Sequence, residues 1–300
     1  MFSNEGFVTT RDGLRLYFRV LGGGSDVVLI PNGIYLVADF EPLTSGRTLV
    51  FYDVRNRGRS ECTTDQAVLE RGILNDVDDL DDVRRHFGAE GVAVIGHSYV
   101  GFTVAVCAKT YPRTVRRIVQ IGALAPDPSK QYPPELSNVD ATLRDALTRL
   151  RDLEPERQSL SAEQWCRKFW SIIRLIYVTN PADAYKVDGW SRCDQVNERN
   201  FMTLFTQFIM PSIGRLNLTP QDFAGVSAPA LVVHGTKDRS AAYGGGVDWA
   251  RTLPNARLLT VPDACHAPWI EAPDLVYGSI DAFLNGAWPE TAVAMSRAGI

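Results

Sequence analysis

The sequence predicts an α/β fold: a doubly wound, mostly parallel sheet with an antiparallel hairpin at its N-terminus and an inserted helical segment. Three observations carry this. Six short runs, VVLIP (27–31), TLVFYD (48–53), VAVIG (92–96), IVQIGAL (118–124), ALVVHG (230–235) and ARLLTVP (256–262), are β-branched and apolar almost throughout. Strands of that character belong to a parallel sheet covered on both faces by helices. Amphipathic helical patterns fall between the runs, as repeated βαβ units require. Between residues 126 and 214 the alternation stops and only helical patterns remain. The chain therefore divides into an α/β core, 1–125 and 215–300, and a helical cap, 126–214.

Taken in order, FVTTRDGLRLYFRV (7–20) alternates around Asp12-Gly13, a strong hairpin signal. A turn at Gly22–Gly24 leads to the first parallel strand. NDVDDLDDVRRHFG (75–88) reads as a helix, with acids in its first turn, Arg84, Arg85 and His86 in its last, and Gly88 where a left-handed residue ends it. The run from Asp76 to Asp82 is read as a solvated face. Further helices are expected over 99–111, stopped by Pro112, and over about 243–253 and 274–285. The cap opens with PDPSKQYPP and continues as VDATLRDALTRLRDL, SAEQWCRKFWSIIRLIYV and NERNFMTLFTQFIM. The last stretch, AWPETAVAMSRAGI, reads as a frayed tail.

The 300 residues are 45% hydrophobic and 22% charged, with a net charge of −4, which is the make-up of a folded globule. No basic patch suits nucleic acid or an anionic membrane. The N-terminus lacks the basic start and apolar core of a secretory signal, and no window approaches the ~18 apolar residues of a membrane span. A soluble, cytoplasmic protein is expected. Its five cysteines, Cys62, Cys107, Cys166, Cys193 and Cys265, are scattered without a C-x-x-C or a metal-ligand spacing. They are expected to be free thiols, and no metal or cofactor is implied.

The chemistry centres on VIGHSYVG (94–101). A nucleophile elbow is a strand, a sharp turn with the nucleophile at its apex, and a helix directly behind, usually spelled G-x-S-x-G. Here strand, turn and helix are in order, but Val100 occupies the second glycine position and Gly101 follows one place late. Helical spacing from Gly101 to Ala105 and Ala108 suggests that the face against the sheet begins one residue later. The competing reading of Ser98 is a serine capping a buried helix. A serine nucleophile needs a base, oriented by a carboxylate. Of the four histidines, His86 ends an amphipathic helix, His97 adjoins Ser98 in a tight turn, and His234 ends a buried strand. His266 is left, in the loop VPDACHAPWIEAP after the last strand, where active-site residues of open α/β sheets collect. For the acid, Asp238 lies just past the end of ALVVHG. Asp127 follows the preceding strand and is the alternative; Asp263 is more plausibly a shaper of the His266 loop.

Five motifs in this order make the chain resemble the cap-bearing serine hydrolases of the α/β-hydrolase fold superfamily: PNGIY (31–35), YDVRNRGRS (52–60), GHSYVG (96–101), GTKD (235–238) and CHAPWIEAP (265–273). The resemblance implies the chain order Ser98, Asp238, His266 for a triad. It also implies an oxyanion hole formed by the backbone N–H groups of Ile34 and Tyr99. Asn32 and Asn56 depart from the residues usual in the first two loops. Asp53, Arg55 and Ser60 are expected to form a loop bonded to itself.

Trp165, Phe169, Trp170, Tyr177, Trp190, Phe201, Phe205 and Phe208 fall in the cap, with Met210 at the end of the run. More than half are expected to be packing core and a minority to roof the site. That composition points to a small-molecule substrate with an apolar group, and the leading expectation is a carboxylic-ester hydrolase working through an acyl-enzyme. Glu154, Glu156, Glu163 and Asp183 would suit a free amino group if the protein were instead a proline-iminopeptidase-like enzyme. A lactonase, a carbon–carbon hydrolase and a catalytically silent binding protein are the further alternatives.

Overall fold

The computed structural model describes residues 4–130 and 140–296. Its strands are β1 (Glu5–Thr9), β2 (Arg15–Gly22), β3 (Asp26–Pro31), β4 (Arg47–Tyr52), β5 (Val92–His97), β6 (Val115–Ile121), β7 (Ala230–Gly235) and β8 (Ala256–Val261). They form one sheet in the order β1-β2-β4-β3-β5-β6-β7-β8. Pairings β1–β2 and β2–β4 are antiparallel, and the others are parallel. All six apolar runs of the sequence are strands, displaced by a few residues at most. The hairpin closes through Thr10, whose N–H donates to the Leu14 carbonyl at 2.9 Å.

Helices α1 (Gly33–Phe40), α2 (Gln66–Arg71), α3 (Ile73–His86) and α4 (Tyr99–Thr110) precede the helical segment. That segment contains α5 (Ala141–Leu153), α6 (Ala162–Ile173), α7 (Val196–Leu204) and α8 (Met210–Leu216), with no strand among its described residues. After it come α9 (Tyr243–Thr252), the short α10 (Pro268–Glu271) and α11 (Pro273–Leu284). The PDPSKQYPP stretch lies partly outside the described residues. Alternate side chains of β5 feed the two faces of the sheet. Val92 and Val94 join a core with Val77, Val104 and Trp249, whereas Ala93 and Ile95 join one with Leu36 and Ile280. That is the period-two pattern of a strand buried on both sides.

Four sequence expectations are corrected. First, the acidic run of α3 is not a solvated face: Asp76, Asp79, Asp81 and Asp82 are buried. The reason is that arginines from other loops converge on this helix. Arg55 Nε donates to Asp79 at 2.7 Å, and Arg11 pairs with Asp82 at 2.9 Å and with Asp81 at 3.3 Å. Arg55 therefore leaves its own loop, while Asp53 and Ser60 do bond within it, the Ser60 hydroxyl donating to the Asp53 carbonyl at 2.5 Å. Second, Cys166 and Cys193 are joined in a disulfide, leaving Cys62, Cys107 and Cys265 free. The bond closes α6 onto the stretch before α7, a proximity that scattered spacing could not announce. Third, the C-terminal stretch is not frayed as far as it is described, since Val293 pairs with Leu258 through backbone bonds of 2.8 and 2.9 Å. The fourth concerns the cap aromatics and belongs with the site. Among the described residues no helix is long and apolar enough to cross a membrane.

Candidate active site

Ser98 stands between the end of β5 and the start of α4 at φ 60°, ψ −131°. A side chain in that region costs on the order of 1–3 kcal/mol, and here the surroundings impose it. The Ser98 N–H donates to the Ile121 carbonyl at 3.0 Å, and its own carbonyl accepts from Gly101 N–H at 2.9 Å. The two glycines make this turn sterically possible. A Cβ on Gly96 would lie 2.5 Å from the Val100 carbonyl oxygen, and one on Gly101 would lie 2.6 Å from the Ala123 Cβ. The close approach to the segment after β6 thus falls on Gly101, one place later than in G-x-S-x-G. Val100 is free to be large and is buried in the apolar core shared with α3.

His266 is fully buried, and its Nδ1 lies 2.9 Å from Asp238 Oδ2. The other Asp238 oxygen accepts from the N–H groups of Ser240 and Ala241, both at 2.8 Å. Burial alone would raise the Asp238 carboxyl, but the imidazoles of His266 and His234 outweigh it and hold it well below the usual carboxylate range. Asp238 therefore stays ionised, fixing which ring nitrogen of His266 carries the proton toward it. His266 Nε2 is buried with no hydrogen-bond partner among the described residues. β6 ends at Ile121, and Gly122 follows at φ +51°, where a Cβ would sit 3.0 Å from His266 Nδ1 and 3.1 Å from Asp238 Oδ2. The strand expected to reach residue 124 stops where this pair needs room.

The other candidates fall elsewhere. His86 is exposed. His234 Nε2 donates to the Ala241 carbonyl at 2.7 Å, a bond that also braces the Asp238 loop. Asp127 accepts from the Ser129 N–H and hydroxyl at the surface, away from His266. Asp263, at φ 54°, shapes the turn before His266. Glu271 fastens that same loop, accepting from Cys265 N–H at 2.5 Å and from Thr179 N–H at 2.6 Å.

Ser98 opens on a cavity of about 300 Å³. Six of the eight cap aromatics, Phe169, Trp170, Tyr177, Trp190, Phe201 and Phe205, line it together with Met210. The expected minority is thus a majority, because the helices of the segment turn one apolar face to the sheet and the cavity lies between. Trp165 and Phe208 do not line it. Tyr99 lines the cavity, whereas Ile34 faces a second cavity of about 300 Å³ beyond Tyr35 and Trp190. The acids Glu154, Glu156, Glu163 and Asp183 lie on the surface, paired with Arg157, Lys168, Arg167 and Lys186.

Sequence reasoning passed over Arg57, Glu198 and the second role of His97. Arg57 lines the cavity and pairs with Glu198 of α7 at 2.7 Å, both buried. A charged residue in the loop after the carboxyl end of β4 was the available signal for Arg57; nothing local marks Glu198. His97 Nε2 bonds the carbonyl of His266 and its Nδ1 faces the Tyr35 hydroxyl. Burial first, then the charge of His266, depresses the His97 pKa well below its ordinary value, so this ring is neutral.

A strained serine on a strand–helix turn, a buried Asp–His pair on the loops after β7 and β8 and a mostly parallel sheet belong to one class of fold. A family model described as alpha/beta hydrolase fold matches residues 22–273, and the chain belongs to that family. The chain is similar to the AB hydrolase superfamily protein YclE of Bacillus subtilis (strain 168), 27% identical over 123 residues. That match spans 40% of this chain and 42% of YclE, less than half of either. Among solved structures it resembles the 2-hydroxy-6-oxo-6-phenylhexa-2,4-dienoate hydrolase BphD from Rhodococcus sp. strain RHA1, at TM-score 0.71 and 17% identity, over 95% of this chain and 99% of that one. An esterase from Rhodococcus sp. ECU1013, RhEst1, gives TM-score 0.69 and 19% identity over 95% and 99%. The esterase EaEST from Exiguobacterium antarcticum gives 0.69 and 14% over 93% and 99%. At such identities these likenesses speak for the fold.

Proposed function

We propose that the protein is a serine hydrolase of small, largely apolar carboxylic esters, acting through an acyl-enzyme. The observation that carries this reading is the pairing of a buried His266–Asp238 dyad with a strained Ser98 that faces an apolar cavity. Ser98 Oγ attacks the ester carbonyl while His266 Nε2 takes its proton. His266 then returns that proton to the departing alcohol, and the acyl group stays on Ser98. Water, deprotonated by the same nitrogen, attacks the acyl-enzyme; the bond to Ser98 breaks, His266 returns the proton to Ser98 Oγ, and the acid leaves. Asp238 holds the ring and stabilises the imidazolium. The N–H of Tyr99 receives the oxyanion, joined by the backbone N–H of Ile34, whose side chain is turned to the second cavity. Both N–H groups belong to the first turns of α4 and α1, where amides have no carbonyl four residues back within the helix.

The surface positions of Glu154, Glu156, Glu163 and Asp183 weigh against the aminopeptidase alternative, which needs an acid at the substrate. A fluorophosphonate probe should label Ser98 in the folded protein and leave Ser98→Ala untouched. Absence of labelling would sink the hydrolase reading in favour of a silent binding protein. p-Nitrophenyl esters of graded chain length, run beside proline and alanine p-nitroanilides, then test the bond: faster anilide turnover would overturn the ester assignment.

A further inference from the structure

Among the described residues that line the Ser98 cavity, Arg57 is the sole charged side chain. It is only 3% exposed, and its ring neighbours are Phe201, 3.9 Å beneath the guanidinium carbon, and Tyr35 at 5.1 Å. Glu198, which does not line the cavity, takes two of its donors: Nε at 2.7 Å and Nη2 at 3.2 Å. Arg57 Nη1 has no hydrogen-bond partner among the described residues. The pair is therefore lopsided, with the carboxylate behind and the guanidinium in front. Burial opposes the charged form of Arg57, but Glu198 more than compensates and raises its pKa above the ordinary value. Close by, Asn32 is 1% exposed. It adjoins Tyr35 and Tyr99, the same two phenols that feel the charge of Arg57.

A buried ion pair that served only to join α7 to the core would be replaced by apolar side chains with little loss, often with a gain. A cavity otherwise walled by aromatics keeps a charged donor for a reason when a ligand supplies the matching acceptor. Guanidinium geometry suits a carboxylate best, since two parallel N–H bonds fit its two oxygens.

We infer that the substrate carries, besides the ester that Ser98 attacks, a carboxylate that binds Arg57, with Glu198 fixing the guanidinium in place. The inference rests on the ester-hydrolase reading and narrows it to an amphiphilic substrate: an apolar body under the aromatic roof and an anionic group at the polar end. Arg57 is a specificity residue in this scheme and moves no proton.

Matched esters that differ only in the anion provide the test. On the acyl side these are p-nitrophenyl hemi-esters of linear dicarboxylic acids, from glutarate to suberate, against the same compounds capped as methyl esters. On the alcohol side, 4-carboxyphenyl butyrate is compared with 4-(methoxycarbonyl)phenyl butyrate. In at least one series the free carboxylate should be favoured by about tenfold or more in kcat/KM, as sites built around a buried polar group discriminate. The combined Arg57→Gln, Glu198→Gln variant, whose two amides can still bond each other, should bring that ratio to near one. Glu198→Gln alone leaves the cation unneutralised and should raise the ratio, which keeps the inference testable if the double variant fails to fold. Equal or better turnover of the capped esters on both sides would overturn it, as would a ratio unmoved by these substitutions. Where no ester turns over, the same pairs are compared as protectants of Ser98 against the fluorophosphonate, and equal protection overturns the carboxylate. Failure of the probe to label Ser98 at all counts instead against the hydrolase reading.

Discussion

His97 Nε2 lies 3.0 Å from the carbonyl oxygen of His266, so the residue preceding Ser98 holds the backbone of the residue proposed as its base. The two rings lie 4.5 Å apart, and Trp269 meets the His97 ring edge-on at 4.8 Å. His97 thus couples the elbow to the closing loop. His97→Ala should lower kcat roughly 10–100-fold by misplacing the base, and raise KM as well, since His97 itself lines the cavity and packs on Trp190. His97→Gln, which can still donate to that carbonyl, should recover part of the loss. Steady-state kinetics on the best p-nitrophenyl ester, beside thermal unfolding, check this, and an unchanged kcat in His97→Ala would refute the coupling.

The Asp238–His266 bond gives a second prediction. Asp238→Asn should reduce kcat by about 10⁴, the size of effect seen when the orienting acid of a serine triad loses its charge. Asp127→Asn should leave kcat within about twofold, because Asp127 bonds only locally to Ser129 and Lys130 at the surface. A reversed ranking would reassign the acid.

Stability should depend on pH through α3. Burial, and then the charge of Asp79, pushes the Asp76 carboxyl up to about 8, with Arg55 opposing, and its Oδ2 has no partner among the described residues. The ordinary value is 3.8, so between pH 4 and pH 8 the folded state holds a proton that the unfolded chain releases. Stability from this group is full below pH 4 and is lost as pH rises through 8. Asp79 and Asp53, raised to about 6, add the same sign over a narrower range. Asp76→Asn should flatten the decline. Urea unfolding at pH 5, 7 and 9 should show the variant gaining on the wild type by more than about 1 kcal/mol from the first to the last. A parallel pair of curves would count against it.

The disulfide makes a countable prediction. In denaturant without reductant, Ellman titration should find the three thiols of Cys62, Cys107 and Cys265, and five after reduction. Cys166→Ser should lower stability by roughly 2–4 kcal/mol, as expected for a loop of this size. Because Cys166 and Cys193 pack with the cavity-lining Phe169, Trp170, Ile173 and Tyr177, KM should rise as well. Five thiols before reduction would contradict the pairing.

What could be read in the sequence was whatever a short window encodes. β7 appeared at its full extent because ALVVHG is apolar throughout, and α3 because its period and end charges agree. Ser98 and His266 were reached by local context and by elimination among four histidines. The α3 acids were misjudged for the opposite reason: a window around Asp79 contains no sign of Arg55, 24 residues away, or of Arg11, still more distant.

The sequence by itself determined the alternation of strands and helices and the strand–turn–helix at Ser98, and it named Ser98, Asp238 and His266 as the candidates for the chemistry. Tertiary structure alone decided which acid meets His266, that Gly101 takes the tight contact left by Val100, and that Arg57 stands charged inside an aromatic cavity. Propensity and hydrophobic period act over a few residues, whereas these outcomes depend on groups far apart in the chain, 28 positions for Asp238 and His266 and 141 for Arg57 and Glu198.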